Sequence, residues 1–303
     1  MKSGNFRAYL AWIIVCIVWG TTYLAIRVGV ESLPPMLFAG VRWTTAGSIF
    51  IIILKLRGKT LPDKKDFLHM SIMSLSMLGV GNGLVVVGEQ WISSGLAALL
   101  LTTVPFWIVG IELLASSGPK INLTIITGLL LGLIGITFIF GDDLSILLNH
   151  DQLLGVLCIL GAVISWSFGS VYSKYRKVKT HPLMSAAIQM FVAGLAQTIT
   201  GLSLGETTEI SISQNGLLAL GYLTAIASIF GYGSYIYAIE HLPLSLVSSY
   251  AYVNPVIAVF LGWMILNEKL NLFIVLGTVI IITGVIIVKK GNEKLLGSSL
   301  KRV

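Results

Sequence analysis

Three ionisable side chains sit inside or at the edge of long apolar runs: Arg42, Glu89 and Glu112. A charge at the centre of a bilayer costs about 2.5–3.5 kcal/mol on the insertion scale, so it must face a partner, water or a ligand. Arg42 lies nearer the outer end of its run, on a stripe with Ala39, Ala46 and Ile49. Its guanidinium could clamp a carboxylate through parallel N–H donors, or pair structurally and snorkel toward the outer face. Glu112 falls within the fourth apolar run and Glu89 at the outer end of the third. Asn82, Val86 and Glu89 share one helical stripe, and Thr102, Pro105, Val109 and Glu112 share another. Low dielectric favours the neutral form of a carboxyl group, the property a proton carrier uses. Glu112 and Glu89 are therefore the proton-coupling candidates. The plainer alternatives place Glu89 in an outer loop and Glu112 near the inner interface.

A second set could line a binding cavity. Trp19, Thr22, Tyr23 and Ile26 form an i, i+3, i+4, i+7 stripe, and Trp166, Ser170 and Ser173 form another. Aromatic residues at such spacing serve packing as readily as ligand contact. A tryptophan on each side would give an amphipathic slot with indole donors. Ser228, Tyr232 and Tyr235 on the eighth run, and Ser248 and Tyr252 on the ninth, add hydroxyls. The candidate contacts are Trp19, Thr22, Tyr23, Arg42, Asn82, Trp166, Gln189, Tyr235, Tyr252 and Asn254. Pro105 and Pro255 fall deep inside runs, where each frees a backbone carbonyl and softens the helix. They read as paired hinges or gates, or as static kinks.

These residues need a scaffold, and the chain repeats itself to make one. At an offset of 147 positions Trp19 falls on Trp166, Pro35 on Pro182, Arg42 on Gln189 and Gly47 on Gly194; at 150, Pro105 falls on Pro255. The 303 residues are 55% hydrophobic and 11% charged, with mean hydropathy +0.91. A soluble domain would carry roughly a quarter charged residues. Ten runs approach the roughly 20 apolar residues of a membrane-spanning helix. They cover 8–28, 34–55, 67–88, 93–115, 122–140, 152–173, 182–204, 215–239, 244–265 and 271–289. Seventeen of the 20 Lys and Arg fall on one side of that pattern, including both chain ends. The positive-inside bias then places both termini in the cytoplasm and requires an even number of spans. Five spans per copy would make the copies inverted, an arrangement through which transporters open to alternate sides. The expected fold is an all-α integral membrane protein of ten transmembrane helices in two inverted five-helix repeats, residues 1–144 and 145–303. Gly128-x-x-x-Gly132-x-x-Gly135 and Gly277…Gly284 mark the fifth and tenth spans as scaffold or dimer surface.

Several local patterns resemble the EamA family of the drug/metabolite transporter superfamily, over essentially the whole chain. The first half carries Trp19-Gly20-Thr21-Thr22-Tyr23, Arg27-Val28-Gly29, Pro34-Pro35 and Arg42-Trp43. The second carries Ile164-Ser165-Trp166-Ser167-Phe168-Gly169-Ser170, Ser249-Tyr250-Ala251-Tyr252-Val253-Asn254-Pro255-Val256 and Leu266-Asn267-Glu268-Lys269-Leu270. The resemblance implies export of amino acids, metabolites or small drugs without ATP, proton-coupled in some members and facilitative in others. The family often repeats an acidic residue after the fourth and ninth helices. Here Glu268 has no acidic counterpart in Ser116-Ser117-Gly118-Pro119.

The expectation is an ATP-independent exporter of small metabolites such as amino acids or drug-like amphipathic compounds, working by alternating access, with proton antiport as one coupling. A facilitative uniporter or importer is the alternative. A membrane transferase is remote, because His69, His150, His181 and His241 lie on different segments without acidic partners at ligand spacing. No cofactor or metal is expected. Cys16 and Cys158 lie in apolar runs and read as packing. The net charge of +7 lies in short gaps between runs, which argues against nucleic acid. The expected partners are a small-molecule substrate, protons, the bilayer and a second copy of the chain, in the cell membrane.

Overall fold

The computed structural model describes residues 3–30, 33–92, 94–114, 122–140, 152–209, 213–266 and 272–300. Every regular element among them is helical. In chain order they are α1 (Ser3–Gly20), α2 (Thr22–Val30), α3 (Pro35–Leu56), α4 (Lys64–Gly88), α5 (Ser94–Leu101), α6 (Val104–Leu114), α7 (Leu123–Phe140), α8 (Leu153–Tyr175), α9 (Pro182–Ser203), α10 (Gln214–His241), α11 (Leu244–Val247), α12 (Tyr250–Leu266) and α13 (Leu272–Leu300), besides a short 3₁₀ turn at Glu206–Glu209. Seven stretches are long and apolar enough to cross a membrane. The runs 8–28, 122–140 and 244–265 are helical too, but shorter or interrupted. Outward-facing Ile17, Ile52, Leu130, Ile199, Leu218, Phe230 and Val279 are exposed, as a hydrocarbon solvent requires.

The interruptions share a local feature. Thr21 separates α1 from α2, Thr102-Thr103 separates α5 from α6, and Ser248-Ser249 separates α11 from α12. Each hydroxyl donates to the carbonyl three residues back, at 2.5–3.2 Å. Such local bonds compete with the helical ladder. Pro105 comes directly after the Thr102-Thr103 break and Val104, whereas Pro255 lies inside α12.

Two π-helical segments, Leu75–Asn82 in α4 and Leu223–Tyr232 in α10, begin 148 and end 150 positions apart. Each ends on a Gly-x-Gly, Gly81-Asn82-Gly83 and Gly231-Tyr232-Gly233. Helices α3 and α9 cross where Gly47 meets Phe191 and Gly194 meets Thr44. Helices α7 and α13 cross where a Cβ on Gly128 would lie 2.7 Å from Gly284 O, and one on Gly135 2.7 Å from Gly277 O. Each crossing pairs a helix with its own counterpart from the other half. The α7 and α13 glycines are thereby consumed as scaffold within the chain, since only a missing side chain lets backbones approach so closely.

The bundle has two chemically distinct ends. At the basic end Lys174 Nζ donates to Ile239 O and Leu242 O at 2.6 and 2.8 Å. Ser245 donates to Asn292 Oδ1, and Lys289 Nζ lies 5.1 Å from the Tyr9 ring, so the N-terminal helix begins where the C-terminal helix leaves the bundle. Here Asp66 Oδ2 accepts from Lys179 N, Thr180 N and Thr180 Oγ1 at 2.8–2.9 Å, holding the segment that starts α9. At the opposite end Glu206 accepts from Met36 N at 3.2 Å and Leu37 N at 2.8 Å. It thereby satisfies first-turn amides of α3 that have no intrahelical partner. Each half thus contributes one carboxylate that secures the start of a helix in the other.

Candidate functional site

A central cavity of about 80 Å³ lies between the halves, lined by residues of α1–α5, α8 and α12, with Val104 at the start of α6. It collects Trp19, Thr22, Arg42, Asn82, Trp166 and Asn254 from the expected contacts. Pockets that hold a drug-sized ligand run to about 300–1,000 Å³. The central cavity lies below that range.

Arg42 dominates the wall. The side chain is 3% exposed, its Nε donates to Ser228 Oγ at 2.9 Å, and its guanidinium carbon lies 4.2 Å from the Trp43 ring centroid. Nη1 is buried without a hydrogen-bond partner. A hydroxyl and a ring face compensate a buried cation poorly, since desolvation removes several kcal/mol that only a close anion or several acceptors can return. The neighbouring Trp43 donates Nε1 to Asn82 Oδ1 at 2.8 Å, which aims both groups at the cavity. Trp43 and Tyr250 line it as well, although their spacing did not mark them as contacts. The Gly-x-Gly repeat was the signal that could have exposed the layer around Asn82 and Tyr232.

Trp19 and Trp166 do not form opposite walls of a slot. Their rings meet edge to face at 5.4 Å, a favoured aromatic geometry. With Tyr235 and Tyr250 they make an aromatic floor. Trp19 Nε1 donates to Ala227 O at 3.2 Å, and Trp166 Nε1 to Tyr235 Oη at 3.1 Å. Tyr235 lies beneath the cavity, also bonded to Ser170 at 2.9 Å. With its amide oriented to donate, Asn254 bonds Cys16 O at 3.0 Å and Tyr250 O at 2.9 Å. The two prolines each come immediately after a lining residue, Val104 and Asn254.

The family model for EamA-like transporters matches residues 6–141 and again 153–289. The chain belongs to the EamA-like transporter family. It is 39% identical over 278 residues to the uncharacterized inner membrane transporter YedA of Escherichia coli strain K12, covering 91% of this chain and 88% of the relative. It is 29% identical to the uncharacterized transporter YoaV of Bacillus subtilis, covering 92% and 95%. It is 24% identical to a protein of Escherichia coli strain K12 named "Probable amino-acid metabolite efflux pump", covering 91% and 92%. A solved structure titled only "Crystal structure of protein" superposes with a TM-score of 0.79 at 18% identity, covering 94% and 98%, and shares the fold. This is a multi-pass membrane transporter of the cell membrane.

In this EamA-like transporter the remaining candidates lie away from the central cavity. Tyr252 donates to Leu129 O at 3.2 Å and covers Gly132, so it bolts α12 to α7. Gln189 is fully buried, accepting from Tyr232 Oη at 2.6 Å and donating to Ser185 at 2.9 Å. Glu112 lies near the basic end of α6 and accepts from Tyr175 Oη at 2.7 Å. Glu89 is buried in the turn after α4. The Tyr23 side chain and residues Ser116–Lys120 and Asn267–Leu270 lie outside the described residues.

Proposed function

We propose that this chain is a secondary-active exporter of small amphipathic metabolites that carry a carboxylate, amino acids or related acids among them, working by alternating access. The observation that carries the reading is the Arg42 guanidinium, buried in the cavity wall with one nitrogen unpartnered beside an aromatic floor. A carboxylate would complete the guanidinium and an apolar side chain would rest on the rings. The relative named for amino-acid metabolite efflux supports the same substrate class.

Ten spans in two inverted five-helix repeats are the architecture we assign, residues 1–144 and 145–303. The doubled family match, the paired π-helical segments and the reciprocal glycine crossings support it. The shared location of the first and last helices supports an even number of crossings. Assigning the basic end to the cytoplasm then rests on the positive-inside bias. The central cavity, reached by Ile26 and Val85, lies toward the outer side, with the aromatic floor beneath it. Pro105 and Pro255 are the hinges. Glu112 and Glu89 are the carriers if protons are exchanged, with Glu112 acting at the inner end. A second copy would dock on the exposed apolar face of α13.

Proteoliposomes containing the purified protein should exchange radiolabelled carboxylate metabolites from a broad panel. Absence of flux for every member would sink the reading. An imposed pH gradient should drive uphill movement under antiport, and uphill movement that survives both Glu89→Gln and Glu112→Gln would remove those carriers.

A further inference from the structure

A second cavity, about 310 Å³, opens at the basic end between α8, α9 and α10. Lys174, Arg176, Lys177 and His241 line it, against Glu240 as its one acidic lining residue, with hydroxyls from Ser173, Thr180 and Ser185. Lys174 Nζ is held by its bonds to Ile239 O and Leu242 O, and Glu112 and Glu240 also act on it electrostatically. Arg176 is fixed by bonds to His69 Nε2 at 2.9–3.0 Å. The inner wall is Ser185, 3% exposed, and Met73, 1% exposed.

That wall is thin. Ser185 accepts from Gln189, and Gln189 accepts from Tyr232. The Tyr232 ring lies 5.8 Å from Trp43 and 6.3 Å from Trp166, both on the wall of the central cavity. Gln189 and Tyr232, bonded in series, therefore lie between the lining residues of the two cavities and form the buried polar barrier that separates them.

We propose that the basic cavity is an entry site for anionic solutes, binding a carboxylate or phosphate group before it passes the Gln189–Tyr232 layer. Its role as an entry rests on the export reading above; its anion chemistry does not. Clustered cations in a low-dielectric cleft raise the local concentration of anions by about 10- to 1,000-fold. The same headgroup chemistry could reach the cavity from an anionic lipid, because basic pockets between spanning helices hold lipid phosphates.

The test places one cysteine at Val178, which lines the cavity, in a Cys16→Ala, Cys158→Ala background. Reconstituted in phosphatidylcholine, and relative to each reagent's rate with a small thiol in solution, Val178→Cys should react about tenfold faster with an anionic sulfonate thiosulfonate than with a cationic trimethylammonium one. Millimolar inorganic phosphate should protect it, and Lys177→Gln should cut the preference at least by half. Arg176→Gln should act likewise, while Lys177→Gln leaves the His69 contact untouched and controls for folding. Equal rates for the two reagents after that normalisation overturn the anion site. Protection by added phosphatidylglycerol but not by phosphate overturns the entry role and makes the cavity a lipid site. Repeating the labelling with Arg42→Ala separates the readings: a preserved preference supports the inner site even if no carboxylate flux is found.

Discussion

Replacing Arg42 with glutamine separates ligand binding from structural support. Arg42 spends one donor on Ser228 and leaves Nη1 unpartnered. If that nitrogen awaits a carboxylate, the variant loses a charge-assisted bond of about 1.5–3 kcal/mol, or roughly 10- to 150-fold in affinity. Half-saturation for a carboxylate solute should rise by that factor in proteoliposomes, whereas its amide should change little. Stability should move the other way. Breaking a buried ion pair costs about 3–5 kcal/mol; here the losses are the Ser228 bond, about 1.5–3 kcal/mol, and the Trp43 ring contact, about 0.5–2 kcal/mol. Removing a desolvated charge offsets that, so the melting temperature in detergent should hold or rise. A steep fall in melting temperature, with acid and amide affected equally, would refute the argument and make Arg42 a structural residue.

Contacts around the cavity and at the two ends set further outcomes. Gly231→Ala would put a methyl group 2.6 Å from Trp19 Nε1 and displace the indole from Ala227 O, at roughly the 1–3 kcal/mol of an overpacked core. Transport should fall sharply with a shift in tryptophan emission that Trp19→Phe abolishes; unchanged transport would remove the aromatic floor from the path. Asp66→Asn should expose Ser185→Cys to reagent from the basic side, and Glu206→Gln should expose Ile26→Cys from the other, each variant weakening the bonds at its own end. Increased labelling on the same side in both variants would show that the carboxylates do not secure opposite ends.

Membrane placement, charge asymmetry and duplication were legible because each is written in residue type and spacing. Six of the ten expected contacts meet at the cavity for the same reason, since mid-span polar groups must face inward. Rotational detail was not legible. Tyr252 and Asn254, two residues apart on α12, lie about 200° apart around its axis, so only one of them can face the cavity, and the spacing alone does not say which. The π-helical turns of α4 and α10 rotate the residues beyond them about the helix axis, and no hydrophobic period reports such a change. Trp43 stayed hidden because its role depends on Asn82 in another helix. Glu112 had the composition of a mid-membrane acid, but only tertiary contact with Tyr175 fixes its depth.

Both ends of the bundle are secured in the same structure, and the magnitudes say how that bears on switching. Asp66 holds three donors of the α9 segment and Glu206 two of α3. Each charge-assisted bond is worth about 1.5–3 kcal/mol, so releasing one end costs several kcal/mol and neither end opens freely. A ligand shifts such an equilibrium only by its differential affinity for the two states. A carboxylate on Arg42 supplies about 1.5–3 kcal/mol per bond, and a bidentate one about twice that. That range matches the two bonds of Glu206 and falls short of most of the range for the three of Asp66. By bond count the Asp66 end is held more firmly than the Glu206 end, by one charge-assisted bond of about 1.5–3 kcal/mol. On the alternating-access reading proposed above, a carboxylate shifts the balance between the ends only by the part of its Arg42 bond energy that one state offers and the other does not.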